Sequence, residues 1–115
     1  MKKSERRSVC PVACTLDLIG DKWTLLVIRD LMFGRSHFKE FLQSPEGIAT
    51  NILSNRLARL VEHDIVETFA SDIHPGRDAY RLTTKGKSLG KIVKAVADWG
   101  LANVKGTQAK LTMKP

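Results

Sequence analysis

Only two cysteines, Cys10 and Cys14, occur in the 115-residue chain. They are too few and too close together to form a disulfide framework, which fits a reducing compartment. Long apolar runs are also missing. The central run from Leu25 to Ile28 stops at Arg29, whereas a membrane-spanning helix takes ~20 apolar residues, so no membrane segment is expected. Lys2, Lys3, Arg6 and Arg7 precede an apolar patch in the manner of a secretion signal, but Pro11 and Asp17 interrupt that patch and no small-residue cleavage site follows. The chain is therefore expected in the cytoplasm. Catalytic signatures are missing too: there is no phosphate-cradling glycine loop, no Gly-x-Ser-x-Gly, and no nucleophile beside an ordered base. His37, His63 and His74 are spread over separate elements, and Cys10 with Cys14 lacks the paired spacing of a structural zinc site. Neither catalysis, nor a cofactor, nor a bound metal is expected. Internal repeats and low-complexity segments are absent as well.

What the chain does have is a composition suited to one folded domain, with 43% hydrophobic and 27% charged residues. Its formal net charge of +7 suggests an acidic partner, but the charge sits mostly at the ends. Residues 1–8 and 105–115 supply six of the seven net charges, and residues 9–104 hold twelve basic against eleven acidic side chains. Bulk charge is therefore a weak argument for nucleic acid. The expected organisation is a basic tail at 1–8, a single domain at 9–106 and a second tail at 107–115.

Hydrophobic spacing supplies the elements. Val12, Leu16 and Ile19 fall at helical intervals and Gly20 ends the run, giving a first helix over Pro11 to Ile19. Asp21 is a natural N-cap for a second helix carrying Trp23, Leu26, Val27, Leu31 and Met32, which stops at Gly34. Ser36 is expected to cap a brief third helix with Phe38, Phe41 and Leu42 inside, followed by a turn at Pro45 and Gly47. From Ala49 to His63, Leu53, Leu57, Leu60 and Val61 occupy one arc of a fourth helix. Asn51, Asn55, Ala58 and Glu62 lie opposite that arc, with Ser54 and Arg59 on its shoulders and Thr50 and Arg56 at its margins.

After His63 the period becomes two. Val66 to Ser71 and Ala79 to Leu82 read as a hairpin whose tip, Asp72 to Arg77, is exposed. A long final helix is expected from Thr83 or Thr84, with Leu89, Ile92, Val93, Val96, Trp99 and Val104 along one stripe. That stripe is longer than a domain of this size needs for its own core, so a homodimer is expected.

Short helices followed by a two-stranded hairpin describe a winged helix-turn-helix, an α+β fold that is mainly α. In such a fold the second helix of the motif enters the major groove, where amides and hydroxyls read base edges and flanking cations meet phosphates. Thr50, Asn51, Ser54 and Asn55 are of the first kind. Arg56, Arg59, Arg35 and Lys39 are of the second, with Ser36 at the edge of the motif and Arg77 at the wing tip. Double-stranded DNA is the expected partner. The alternative is a winged helix that binds other proteins without touching nucleic acid. A small-molecule effector would fit a cleft between the first and last helices near Trp23 or Trp99, although both tryptophans also suit a core or an interface.

Several stretches resemble HxlR-type regulators in order and spacing: Cys10-Pro11-Val12, Ile19-Gly20-Asp21-Lys22-Trp23-Thr24, Phe38-Lys39-Glu40-Phe41, Ile52 to Leu60, Tyr80-Arg81-Leu82-Thr83 and Asp98-Trp99-Gly100. The resemblance implies a dimeric repressor or activator, paired through its first and last helices, on palindromic sites near promoters. It also implies an oxidant- or electrophile-sensing role for the cysteine that Cys10 matches. The chain departs from the family pattern at Ala49-Thr50, where a capping serine is usual, and at Asp64, where a glycine is common.

Overall fold

The computed structural model describes residues 6–109. Lys2, Lys3, Lys110 and Lys114, which carry much of the charge expected in the tails, lie outside the described residues. The element order is α1 (Pro11–Ile19), α2 (Thr24–Met32), α3 (Phe38–Leu42), α4 (Thr50–Glu62), β1 (Val66–Ala70), β2 (Asp78–Leu82), α5 (Thr84–Lys87) and α6 (Gly90–Asn103). This is a mainly helical protein with one small sheet, the winged helix expected from the sequence. No helix among the described residues is long and apolar enough to cross a membrane.

One core holds the elements together. Val27, Ile28 and Leu31 of α2, Phe41 of α3, Leu53, Leu57 and Leu60 of α4, and Ile65 and Val66 at the start of the hairpin are all buried in one cluster. The three α4 leucines fall on the arc that helical periodicity selects, so the opposite side of α4 is left to solvent. Burying a leucine side chain stabilises the fold by about 1.5–3 kcal/mol, so α4 cannot rotate about its axis without exposing all three.

Helix α4 ends on a left-handed residue. Asp64 has φ 60°, the Ile65 N–H donates to the Leu60 carbonyl at 2.9 Å, and the Asp64 N–H donates to the Val61 carbonyl at 3.1 Å. This is the Schellman arrangement. Aspartate tolerates the left-handed region better than most side chains, which explains how it stands where glycine is common.

The hairpin is antiparallel, pairing Val66 with Leu82 and Ala70 with Asp78 at its two ends. It is tied to the helices at two points. The Tyr80 N–H donates to the Ser36 carbonyl at 2.8 Å, and the His37 ring Nε2 lies 2.7 Å from Ser71 Oγ. Ser71 Oγ also accepts from the N–H groups of Ile73 and His74, so one hydroxyl organises the tip and moors it to the N-terminus of α3.

Three expected caps and boundaries differ in the structure. Trp23, not Asp21, occupies the N-cap of α2, because the Asp21 carboxylate accepts from the Trp23 and Thr24 N–H groups from two residues further back. Ser36 does not occupy the cap of α3, because His37 stands there. The terminus is satisfied by Glu40, whose carboxylate accepts from the N–H groups of Ser36 and His37. The long final helix is broken in two. Thr83 caps α5 by accepting from the Gly86 N–H, and α6 begins only at Gly90. A Cβ at Gly86 would stand 2.0 Å from the Ile65 carbonyl oxygen, so only glycine lets α5 lie this close to the start of β1, and Gly90 at the start of α6 lies beside Met32.

Candidate nucleic-acid interface

Thr50, Asn51, Ser54 and Asn55 are all exposed on the outer side of α4. They form an uncharged row of hydroxyls and amides backed by a leucine core. Lys39 on α3 and Arg77 at the hairpin tip are exposed as well. These six residues are presented to solvent as the sequence suggests.

The remaining expected cations are engaged. Arg56 Nε donates to Asp21 Oδ2 at 2.8 Å, and Arg56 Nη1 donates to Asn55 Oδ1 at 2.6 Å. Arg59 Nη2 donates to the Asp17 carbonyl at 3.2 Å, tying α4 to α1. Arg35 Nη1 donates to the Glu40 carbonyl and to Gln43 Oε1, bracing α3. Ser36 Oγ lies 3.0 Å from His37 Nδ1 and is half-buried. Arg56, Arg59 and Arg35 therefore position helices, a role that residue type alone does not reveal.

Sequence reasoning missed the polar struts that hold the motif. Asp21 does more than receive the start of α2. Besides Arg56 it accepts from the N–H groups of Trp23 and Thr24 and from the Thr24 hydroxyl, so the start of α2 and helix α4 share one carboxylate. Partial burial pushes the Asp21 carboxyl up, but the hydrogen bonds from Arg56, Thr24 and Trp23, with the Arg56 charge, outweigh it and hold the group well below the usual carboxylate range.

At the other end of α2, Arg29 donates to both carboxylate oxygens of Glu46, at 2.9 and 2.8 Å, and pairs with the buried Asp30. Asp30 in turn accepts from the Ser44 hydroxyl. Ser44 and Glu46 lie in the turn between α3 and α4, so this network sets the angle of the helix-turn-helix. The one signal available was the Arg29-Asp30 pair interrupting an otherwise apolar stretch.

Among the described residues no group of three or more His, Cys, Asp or Glu side chains is arranged to hold a metal ion.

A family model described as HxlR-like helix-turn-helix matches residues 18–108. The chain belongs to this family. The HTH-type transcriptional regulator sll1512 of Synechocystis is 30% identical over 99 residues, covering 83% of this chain and 73% of that protein. The crystal structure of the transcription-factor candidate PA1607 superimposes with a TM-score of 0.81 at 37% identity, covering 95% of this chain and 75% of that one. The redox regulator HypR in its reduced form matches with a TM-score of 0.74 at 31% identity, covering 84% of this chain and 95% of that one. The chain spans 56% of the length of a longer HTH-type relative from Mycobacterium bovis. It is a transcriptional regulator of the helix-turn-helix type.

Asp21 generates a pH prediction. Its folded carboxyl titrates below the unfolded value of 3.8, so the unfolded chain takes up the proton first as pH falls. The associated stability is complete above the unfolded value and is lost as pH descends toward the folded one. Urea unfolding of the native protein should weaken steadily below about pH 4.5, and Asp21→Asn should be less stable at neutral pH with a shallower acid limb. Equal acid limbs for the two proteins would show that Asp21 is not held in this way.

Proposed function

We propose that this regulator binds double-stranded DNA as a homodimer, inserting α4 of each subunit into the major groove at a palindromic operator. The observation that carries the reading is the exposed row Thr50, Asn51, Ser54 and Asn55 on a helix whose far side is locked into the core. A groove ~12 Å wide admits one helix, and amides and hydroxyls are the groups that pair with base edges. The hairpin flanks the helix as a wing. Phosphate contacts fall to Lys39 and Arg77, with Arg35, Arg56 and Arg59 positioning the helices on which reading depends.

Support for a homodimer comes from α6, none of whose fourteen residues is buried within the subunit. Val96 and Trp99 are 55% and 66% exposed, and Val12 and Leu16 of α1 are 66% and 51% exposed. Apolar side chains at this density on two helices suit a subunit interface. Two reading helices related by a twofold axis then meet half-sites one DNA turn, ~34 Å, apart.

Cys10 is exposed immediately before α1, beside the face assigned to the partner subunit. Modification of that thiol would shift one subunit against the other and misalign the reading helices. The likeness to HypR, solved as a redox regulator, supports this role. Cys14 is less accessible, its thiol directed at the Ser8 carbonyl at 3.2 Å.

Sedimentation should give twice the chain mass, and Trp99→Asp should give a monomer; a native monomer at micromolar concentration would overturn the dimer. Selection from random duplex DNA should enrich a palindrome whose affinity falls steeply with salt. Asn51→Ala should relax one base position, and Arg77→Ala should weaken all sequences alike while flattening the salt slope by about one. Absence of enrichment, or binding indifferent to salt, would favour a protein partner instead. Diamide should change operator affinity in the native protein and leave Cys10→Ser unaffected; an identical response in both would overturn the sensing role of Cys10.

A further inference from the structure

Arg56 is held by Asp21 on one side and holds Asn55 on the other. A guanidinium carries only donors, so the Asn55 atom 2.6 Å from Arg56 Nη1 is its carbonyl oxygen. A flipped amide would place an NH2 group against a cation. The orientation of this exposed side chain is thereby set by chemistry, with Oδ1 turned toward the Arg56–Asp21 pair and Nδ2 left for whatever α4 meets.

We propose that Arg56, clamped by Asp21, occupies one lone pair of Asn55 Oδ1 and orients the amide with Nδ2 as the group offered to a base, so that Asn55 favours guanine over adenine at its base position. This rests on the DNA-reading role of α4 proposed above. Adenine presents a donor at N6 beside an acceptor at N7, and an asparagine satisfies it by offering Oδ1 and Nδ2 together. Guanine presents two acceptors, O6 and N7, which the two hydrogens of Nδ2 reach without calling on Oδ1. To read adenine, Asn55 must bring Oδ1 to N6 as well, either sharing it with Arg56 through its second lone pair or giving up a charged donor that is itself anchored at 2.8 Å to Asp21, whereas guanine is read through Nδ2 with the Arg56 contact undisturbed. Asp21 cannot follow, because Trp23 and Thr24 hold it at the start of α2.

Arg56 is thus a positioning residue that determines specificity without touching a base. A residue that only stabilised the fold would alter affinity for all sequences equally. Arg56 instead changes which base Asn55 accepts.

The test is selection from random duplex DNA with the native protein and three variants, scored base by base. The native protein should enrich guanine at a position whose preference disappears in Asn55→Ala. Arg56→Met, which removes the donor but keeps an unbranched stem, should shift that position toward adenine, changing the guanine-to-adenine ratio about tenfold. Asn55→Asp lies on the surface and leaves the core alone, so it reports even if Arg56→Met fails to fold. Its carboxylate accepts only, and it should move the position to cytosine, whose N4 donates. Adenine at the Asn55-dependent position of the native protein, or no position responding to Asn55→Ala, overturns the inference while leaving DNA binding intact. No enriched sequence from the native protein overturns the DNA reading and this inference with it.

Discussion

A single carboxylate joins the two helices on which this protein turns. Asp21 accepts from the first N–H groups of α2 and grips Arg56 of α4, so the start of α2 and the middle of α4 share one anchor. The hydrophobic core fixes which side of α4 faces inward, because Leu53, Leu57 and Leu60 are buried together. Such packing leaves sliding along the helix axis less well determined. A directional, charge-assisted contact supplies that missing constraint. The register of Asn51, Ser54 and Asn55 relative to the body follows from it.

The other polar contacts extend the same principle. Arg29 reaches Glu46, and Asp30 reaches Ser44, so the turn before α4 is held from the far end of α2. Arg59 reaches the backbone of α1. His37 holds Ser71, and the Ser36 carbonyl holds Tyr80, so the wing is moored to α3. Helix α4, the turn before it and the hairpin are thus hydrogen-bonded to the same body, and in the proposed function such pre-organisation lowers the ordering cost of binding a duplex. By contrast, α6 contributes nothing fully buried, and its exposed stripe belongs to assembly with a second subunit in the proposed function.

Much of this was legible from residue spacing. The first helix, the end of α2 near Gly34, the α4 leucine arc and both strands follow from hydrophobic period and turn residues, because burial of apolar area dominates at those positions. Three features were not legible. The break between α5 and α6 lies beside the close approach of Gly86 to Ile65, a tertiary contact no local pattern encodes. The cap of α3 falls on His37 instead of Ser36 because Glu40 reaches back to the backbone. The cations of α4 look free in sequence, whereas Arg56 finds its partner thirty-five residues earlier at Asp21. Exposed amides can be recognised from helical phase, but the partners of long charged side chains belong to the tertiary structure.

The Asp21–Arg56 contact couples α2 to α4, and a double-mutant cycle on stability measures that coupling. Asp21→Asn retains an oxygen that accepts at the start of α2 while losing the charge, and Arg56→Met retains the stem while losing the guanidinium. Urea unfolding of the native protein, both single variants and the double variant yields the coupling free energy. The account predicts a favourable coupling above about 1 kcal/mol, since exposed surface pairs give ~0.2–1 kcal/mol and this pair is braced on both sides. Additive effects, agreeing within about 0.3 kcal/mol, would contradict it and leave the leucine core alone to position α4.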